Sequence, residues 1–123
     1  MIHPDVQAAL EEIVTGLTGS EHVYAHLEPG FEDDLPAILV TVSQKDDGYL
    51  ATHKAAFEFY AADLGDARTL ARTVIAHLTS QPHGTAAGLL DDVRVDIALK
   101  QVPYANPDVV MLNATLDVDT RAV

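Results

Sequence analysis

Apolar residues recur at i, i+3 and i+4 through Val6, Ala9, Leu10, Ile13, Val14 and Leu17, the stripe of an amphipathic helix. Pro4 suits its first helical position, Asp5 favours the positive end of its dipole, and Gly19 supplies a stop. A second stripe, Ala67, Leu70, Ala71, Val74, Ile75 and Leu78, follows Asp63 and Asp66, either of which can serve as N-cap. Elsewhere the period shortens to two. "HVYAHL" predicts a short strand, "EPGFEDDLP" a loop, and "AILVTVSQ" a strand apolar on nearly every residue, with "KDDG" turning the chain after it. From about Thr52, Ala55, Phe57, Phe59 and Ala61 face one way, and Lys54, Glu58 and Tyr60 the other.

After the second helix, "SQPHGTAAG" reads as a loop. Val93, Val95, Ile97 and Leu99 then alternate with Arg94, Asp96 and Lys100, a half-buried strand. "QVPYANPD" leads into a last strand with Val110, Leu112, Ala114, Leu116 and Val118 inward, and Asn113, Thr115, Asp117 and Asp119 outward. The order α-β-β-β-α-β-β predicts one α+β domain over residues 1–123, a two-layer sandwich with two helices on one face of a mainly antiparallel sheet. Burial of each Leu, Ile or Val is worth about 1.5–3 kcal/mol, so two such stripes account for helix docking.

Composition narrows the function more than the fold. The chain has no cysteine, which removes disulfides, thiolate zinc sites and a cysteine nucleophile. Its amino terminus lacks the basic opening and apolar run of a secretory signal, so synthesis in the cytosol is expected. A net charge of −12, with seven basic residues scattered and forming no run, argues against sequence-specific DNA binding.

Candidate chemistry is sparse. The junction "AADLGDARTLA" has one glycine and two carboxylates, where a phosphate site needs several open backbone N–H groups, so capping explains Asp63 and Asp66. His22 and His26, four apart on a strand, lie about 13 Å from each other, too far for one metal. All six histidines are therefore expected at the surface or in caps, and no metal or cofactor is expected. The acid groups Glu32–Asp34, Asp46–Asp47 and Asp91–Asp92 lack the alternating spacing of a calcium loop and read as solvated charge. Tyr49 and Leu50 at the end of one connection, and Tyr104 in another, are apolar side chains where loops are usually polar. Each is either tucked into a local cluster or open to a partner. The outer sheet face reads as polar, with unprotected edge strands.

"HPDVQAALEEIVTGL", "LPAILVTVSQKDDG", "AAFEFYAADLGDARTLARTVIAHL" and "VPYANPDVVMLNATLDVDTR" together span almost the whole chain. In these stretches it resembles the tail terminator (tail completion) proteins of bacteriophages with long, non-contractile tails, including divergent forms from phages of actinobacteria. The resemblance implies a non-enzymatic subunit of a homo-hexameric ring at the head-proximal end of the virion tail, assembled in the host cytoplasm. Such a ring caps the tail tube, ends addition of the major tail-tube protein, and offers a surface to a head-completion or connector protein while DNA passes through. Under this reading Tyr49, Leu50 and Tyr104 are expected at subunit or tube contacts, and Asp46 and Asp47 at the ring lumen. A head-closure or connector protein, a small ligand-binding domain and an enzyme using His26 or His53 with a nearby acid are the competing readings.

Overall fold

The computed structural model of the chain describes residues 4–19, 23–44 and 50–121. Helix α1 (Val6–Thr18) is followed by β1 (Val23–Tyr24), a short 3-10 helix (Phe31–Asp34), β2 (Ala37–Gln44) and β3 (Leu50–Ala61). Helix α2 (Leu64–Ser80), a hairpin of β4 (His83–Thr85) and β5 (Gly88–Leu90), then β6 (Asp92–Val102) and β7 (Val110–Arg121) complete the chain. One five-stranded sheet has the order β1-β2-β3-β7-β6, antiparallel except for the β1–β2 pair. The predicted α+β architecture and its sequence of main elements are those observed.

Alternation along β3 and β7 builds the core. Phe57 pairs with Ala114, Phe59 with Leu112 and Ala55 with Leu116, so one set of side chains faces the helices. Phe57 and Phe59 are fully buried and stack with centroids 5.8 Å apart. Against them lie Val6, Ala9, Leu10 and Val14 of α1, and Ala67, Ala71, Val74 and Leu78 of α2. Leu70 and Ile75 only flank this stripe, partly buried. Asp5 caps α1 by accepting from the Ala8 N–H at 3.0 Å, so Pro4 precedes the cap instead of occupying the first turn. Gly19 ends the helix at φ +66°, its N–H donating to the Thr15 carbonyl.

Four segments depart from expectation. "HVYAHL" contributes two strand residues among those described, Val23 and Tyr24, and the acidic loop after it contains the 3-10 helix. The stretch read as a loop after α2 is the β4–β5 hairpin. Its Gly88, at φ +132°, runs against Pro4 so closely that a Cβ would sit 2.6 Å from the Pro4 Cβ. The outer sheet face is polar over only part of its area: Tyr60, read as outward and polar, is buried with Ala37, Val109 and Met111 in a second cluster. Residues from Leu27 to Leu35 fold over this end of the sheet, and Phe31 meets the Tyr60 ring edge-on at 5.0 Å. In β6 the pairing register slips between Val95 and Ile97 and again between Ile97 and Lys100. Strict alternation fails there, and Val95 and Ile97 remain 48% and 49% exposed instead of half-buried in the core.

Neither edge of the sheet is left plain. Beyond the two residues covered by β1, the Gln7 side chain of α1 donates to the Val40 carbonyl at 2.7 Å and accepts from the Val42 N–H at 3.1 Å. One amide thus takes the place of a neighbouring strand, while the register slips break the regularity of β6. Val74→Asp should unfold the domain, since it buries an unpaired charge at a site with no exposure, whereas Leu70→Asp at the margin should cost less. Urea titration followed by circular dichroism checks the order of the two variants, and a native-like Val74→Asp protein would contradict the assigned core.

Candidate interaction surfaces

The Asp63 carboxylate accepts from the Asp66 N–H at 2.8 Å, occupying the position an anion would take at the start of α2. Asp66 lies in the first turn, favourable to the helix dipole. No helix is long and apolar enough to cross a membrane among the described residues, and no three His, Asp or Glu side chains come together there as a metal-binding group.

The histidines divide by environment, which corrects the expectation that all are surface or cap residues. His26 is exposed beside Glu28, 2.8 Å away. His53 is only 3% exposed, packed on the helix-facing side of β3 and hydrogen bonded to the Thr120 hydroxyl at 2.9 Å. His83 is also buried, but as a cap: its ring N–H lies 3.1 Å from the carbonyls of both His77 and Leu78, satisfying the end of α2. The His77 and His83 rings sit 5.0 Å apart, a proximity their sequence separation hid. His3 and His22 lie outside the described residues.

Polar residues on and beside the outer face form ion pairs within and between β3, β7 and β6. Lys54 lies 2.7 Å from both Asp96 and Asp117; Arg94 joins Asp92 and Asp119; Arg121 reaches Asp91 at 3.0 Å. Asp91 and Asp92, read as solvated charge, are therefore each paired. Arg94 holds the Asp119 carboxyl below its ordinary value of 3.8, and the Thr52 hydroxyl at 2.8 Å adds to this. At the other end, burial and then the adjacent Glu58 carboxylate, 3.0 Å from its hydroxyl, raise the Tyr60 phenol.

Of the residues singled out for contacts, Leu50 is the first residue of β3, paired with Arg121, and is 65% exposed. Tyr104 packs edge-on against Tyr60 at 5.5 Å and donates to Glu32 at 3.1 Å, while Asn106 donates to the same carboxylate. The ten residue steps from Leu50 to Tyr60 span about 34 Å of strand. Leu50 and Tyr104 therefore mark opposite ends of the sheet and do not form one patch. Tyr49, Asp46 and Asp47 lie outside the described residues.

A surface that sequence reading missed lies between α2 and β6. This groove of about 630 Å³ has an apolar floor of Ile75, Val95, Leu99 and Leu112, with Arg68, Arg72 and Lys100 on its rim. Arg68 and Arg72, four apart on α2, were the available signal: they occupy one helix face. Their convergence with Lys100 required the fold.

No protein-family model and no curated protein sequence matches the chain. Among solved structures, the fold is similar to that of a chain in the virion of a native gene transfer agent particle. The TM-score is 0.65 and the identity 18%, with 95% of each chain covered.

Arg94→Ala should return Asp119 toward its ordinary pKa and cost up to about 1 kcal/mol at neutral pH, the scale of an exposed pair. Because the folded-state value is lowered, the contribution is present above the ordinary carboxylate range and disappears as pH falls through that lowered value. Carboxyl NMR titration, with unfolding measured across acid pH, checks both parts; an unmoved Asp119 would contradict the pairing.

Proposed function

We propose that this chain is a structural virion protein, without catalytic activity or a cofactor, that caps the tail tube as a homo-hexameric ring. The ring ends polymerisation of the major tail-tube protein at the head-proximal end and gives the head-completion or connector protein its docking surface. The observation that carries this reading is the end-to-end likeness of fold, 95% of both chains, to a component of a gene transfer agent virion. The sequence resemblance to tail terminators points the same way.

Physical features support it. The His26–Glu28 pair sits exposed on a loop, and His53 is buried with its ring against the Thr120 hydroxyl. A net charge of −12 suits a passage through which DNA slides without specific binding, since a basic lining would retain phosphates. Asp46 and Asp47 are assigned to that lumen; Tyr49, Leu50 and Tyr104 are assigned to subunit or tube contacts. Leu50, 65% exposed, has apolar surface to bury on assembly.

The test is a polymerisation assay. Added to growing tubes of the major tail-tube protein, the chain should halt elongation, read as a plateau in light scattering, and unaltered elongation would overturn the reading. Leu50→Asp should remain folded by circular dichroism and halt elongation less effectively. Loss of fold in that variant would place Leu50 in the core instead.

A further inference from the structure

Six of the seven basic residues lie among those described. Lys54, Arg94 and Arg121 are ion-paired with aspartates on or beside the outer sheet face. The other three, Arg68, Arg72 and Lys100, have no ion pair among the described residues, and all three rim the α2–β6 groove. In a chain of net charge −12, the described cations without an ion pair are thus gathered on one surface. Beneath them, Val95 in the apolar alternation of β6 is left 48% exposed. Apolar floor and cationic rim together call for an acidic segment with some apolar surface.

The outer face of the same sheet, away from the helices, carries that chemistry. Between β1 and β2, Asp33 and Asp34 are exposed on the 3-10 helix without an ion pair among the described residues, close in sequence to exposed Glu28 and Pro29. We propose that the α2–β6 groove of one copy receives the acidic segment at 28–34 of the next copy, with Asp33 and Asp34 facing Arg68, Arg72 and Lys100. The contact joins two different surfaces head to tail, the kind of interface that closes into a ring when each step adds a fixed rotation. It rests on the ring reading above and gives that ring its subunit contact. It is a contact of side chains and not strand addition, because Gln7 already fills the β2 edge and register slips interrupt β6.

Charge reversal tests it in the full chain, by sedimentation of free protein and of protein bound to tail tubes. Arg68→Glu with Arg72→Glu, or Asp33→Arg with Asp34→Arg, should each raise the concentration needed for ring assembly by about tenfold or more, and the four changes together should restore it to within about threefold. All substituted sites are exposed, and circular dichroism verifies the fold of each variant. Wild-type rings that either pair leaves unaffected, or a four-change chain that folds but does not regain assembly, would overturn this interface while the ring reading stands. A wild-type chain that forms no ring, free or on tubes, would overturn both. As a second readout, Val95→Cys with Asp33→Cys in this cysteine-free chain should give a ladder of copies with a short bis-maleimide, and monomer alone from assembled rings would contradict the contact.

Discussion

The fold depends on the antiparallel ladder between β3 and β7, twelve residues on each strand in unbroken register from Leu50↔Arg121 to Ala61↔Val110. Because side chains alternate, that register decides which residues meet the helices. His53, Ala55, Phe57 and Phe59 stand beside Val118, Leu116, Ala114 and Leu112 on one side, while Lys54 and Glu58 stand beside Asp117 and Asn113 on the other. A slip of one residue would exchange the two faces and bury the ion-paired aspartates. Helix α2 packs across β3, β7 and β6, and α1 across β2, so both helices depend on the same alternation.

Around this ladder the remaining elements settle what a twisted sheet leaves open. At one end of the outer face, Phe31, Tyr60 and Tyr104 interlock, with Glu32 tying the 27–35 segment to Tyr104 and Asn106. At the other end, ion pairs take the place of packing. The edges are closed to a further strand by different means, a side-chain amide on β2 and slipped register on β6. Among the side chains left exposed are an apolar and cationic groove between α2 and β6 and, on the outer face, the acidic pair Asp33 and Asp34.

Both helices, the α+β class and the inward residues of β3 and β7 were legible because period and burial agree there. Phe57, Phe59, Leu112 and Leu116 are apolar on alternate positions and buried on alternate positions. The reading failed where local pattern and tertiary placement diverge. Val95 and Ile97 have the alternation of a buried strand, but the register slips leave both exposed. Tyr60 sits on the polar parity of β3, yet a segment some thirty residues earlier covers it. Buried His53 gave no local sign, since Thr120 is contributed by a strand far along the chain. The groove was legible only in part: Arg68 and Arg72 share one face of α2, but Lys100 joins them only in space.

A cap on a tube must recognise its own kind, meet a different protein on one side, and leave a passage for DNA. Under the proposed reading, the cationic groove and the acidic segment of this small domain serve the first of these needs. Negative-stain electron microscopy of tail tubes mixed with the chain tests the account most directly. The account predicts six-fold rings in end views and a cap at one end of each tube. Tubes with bare ends, beside a chain that stays monomeric, would contradict it.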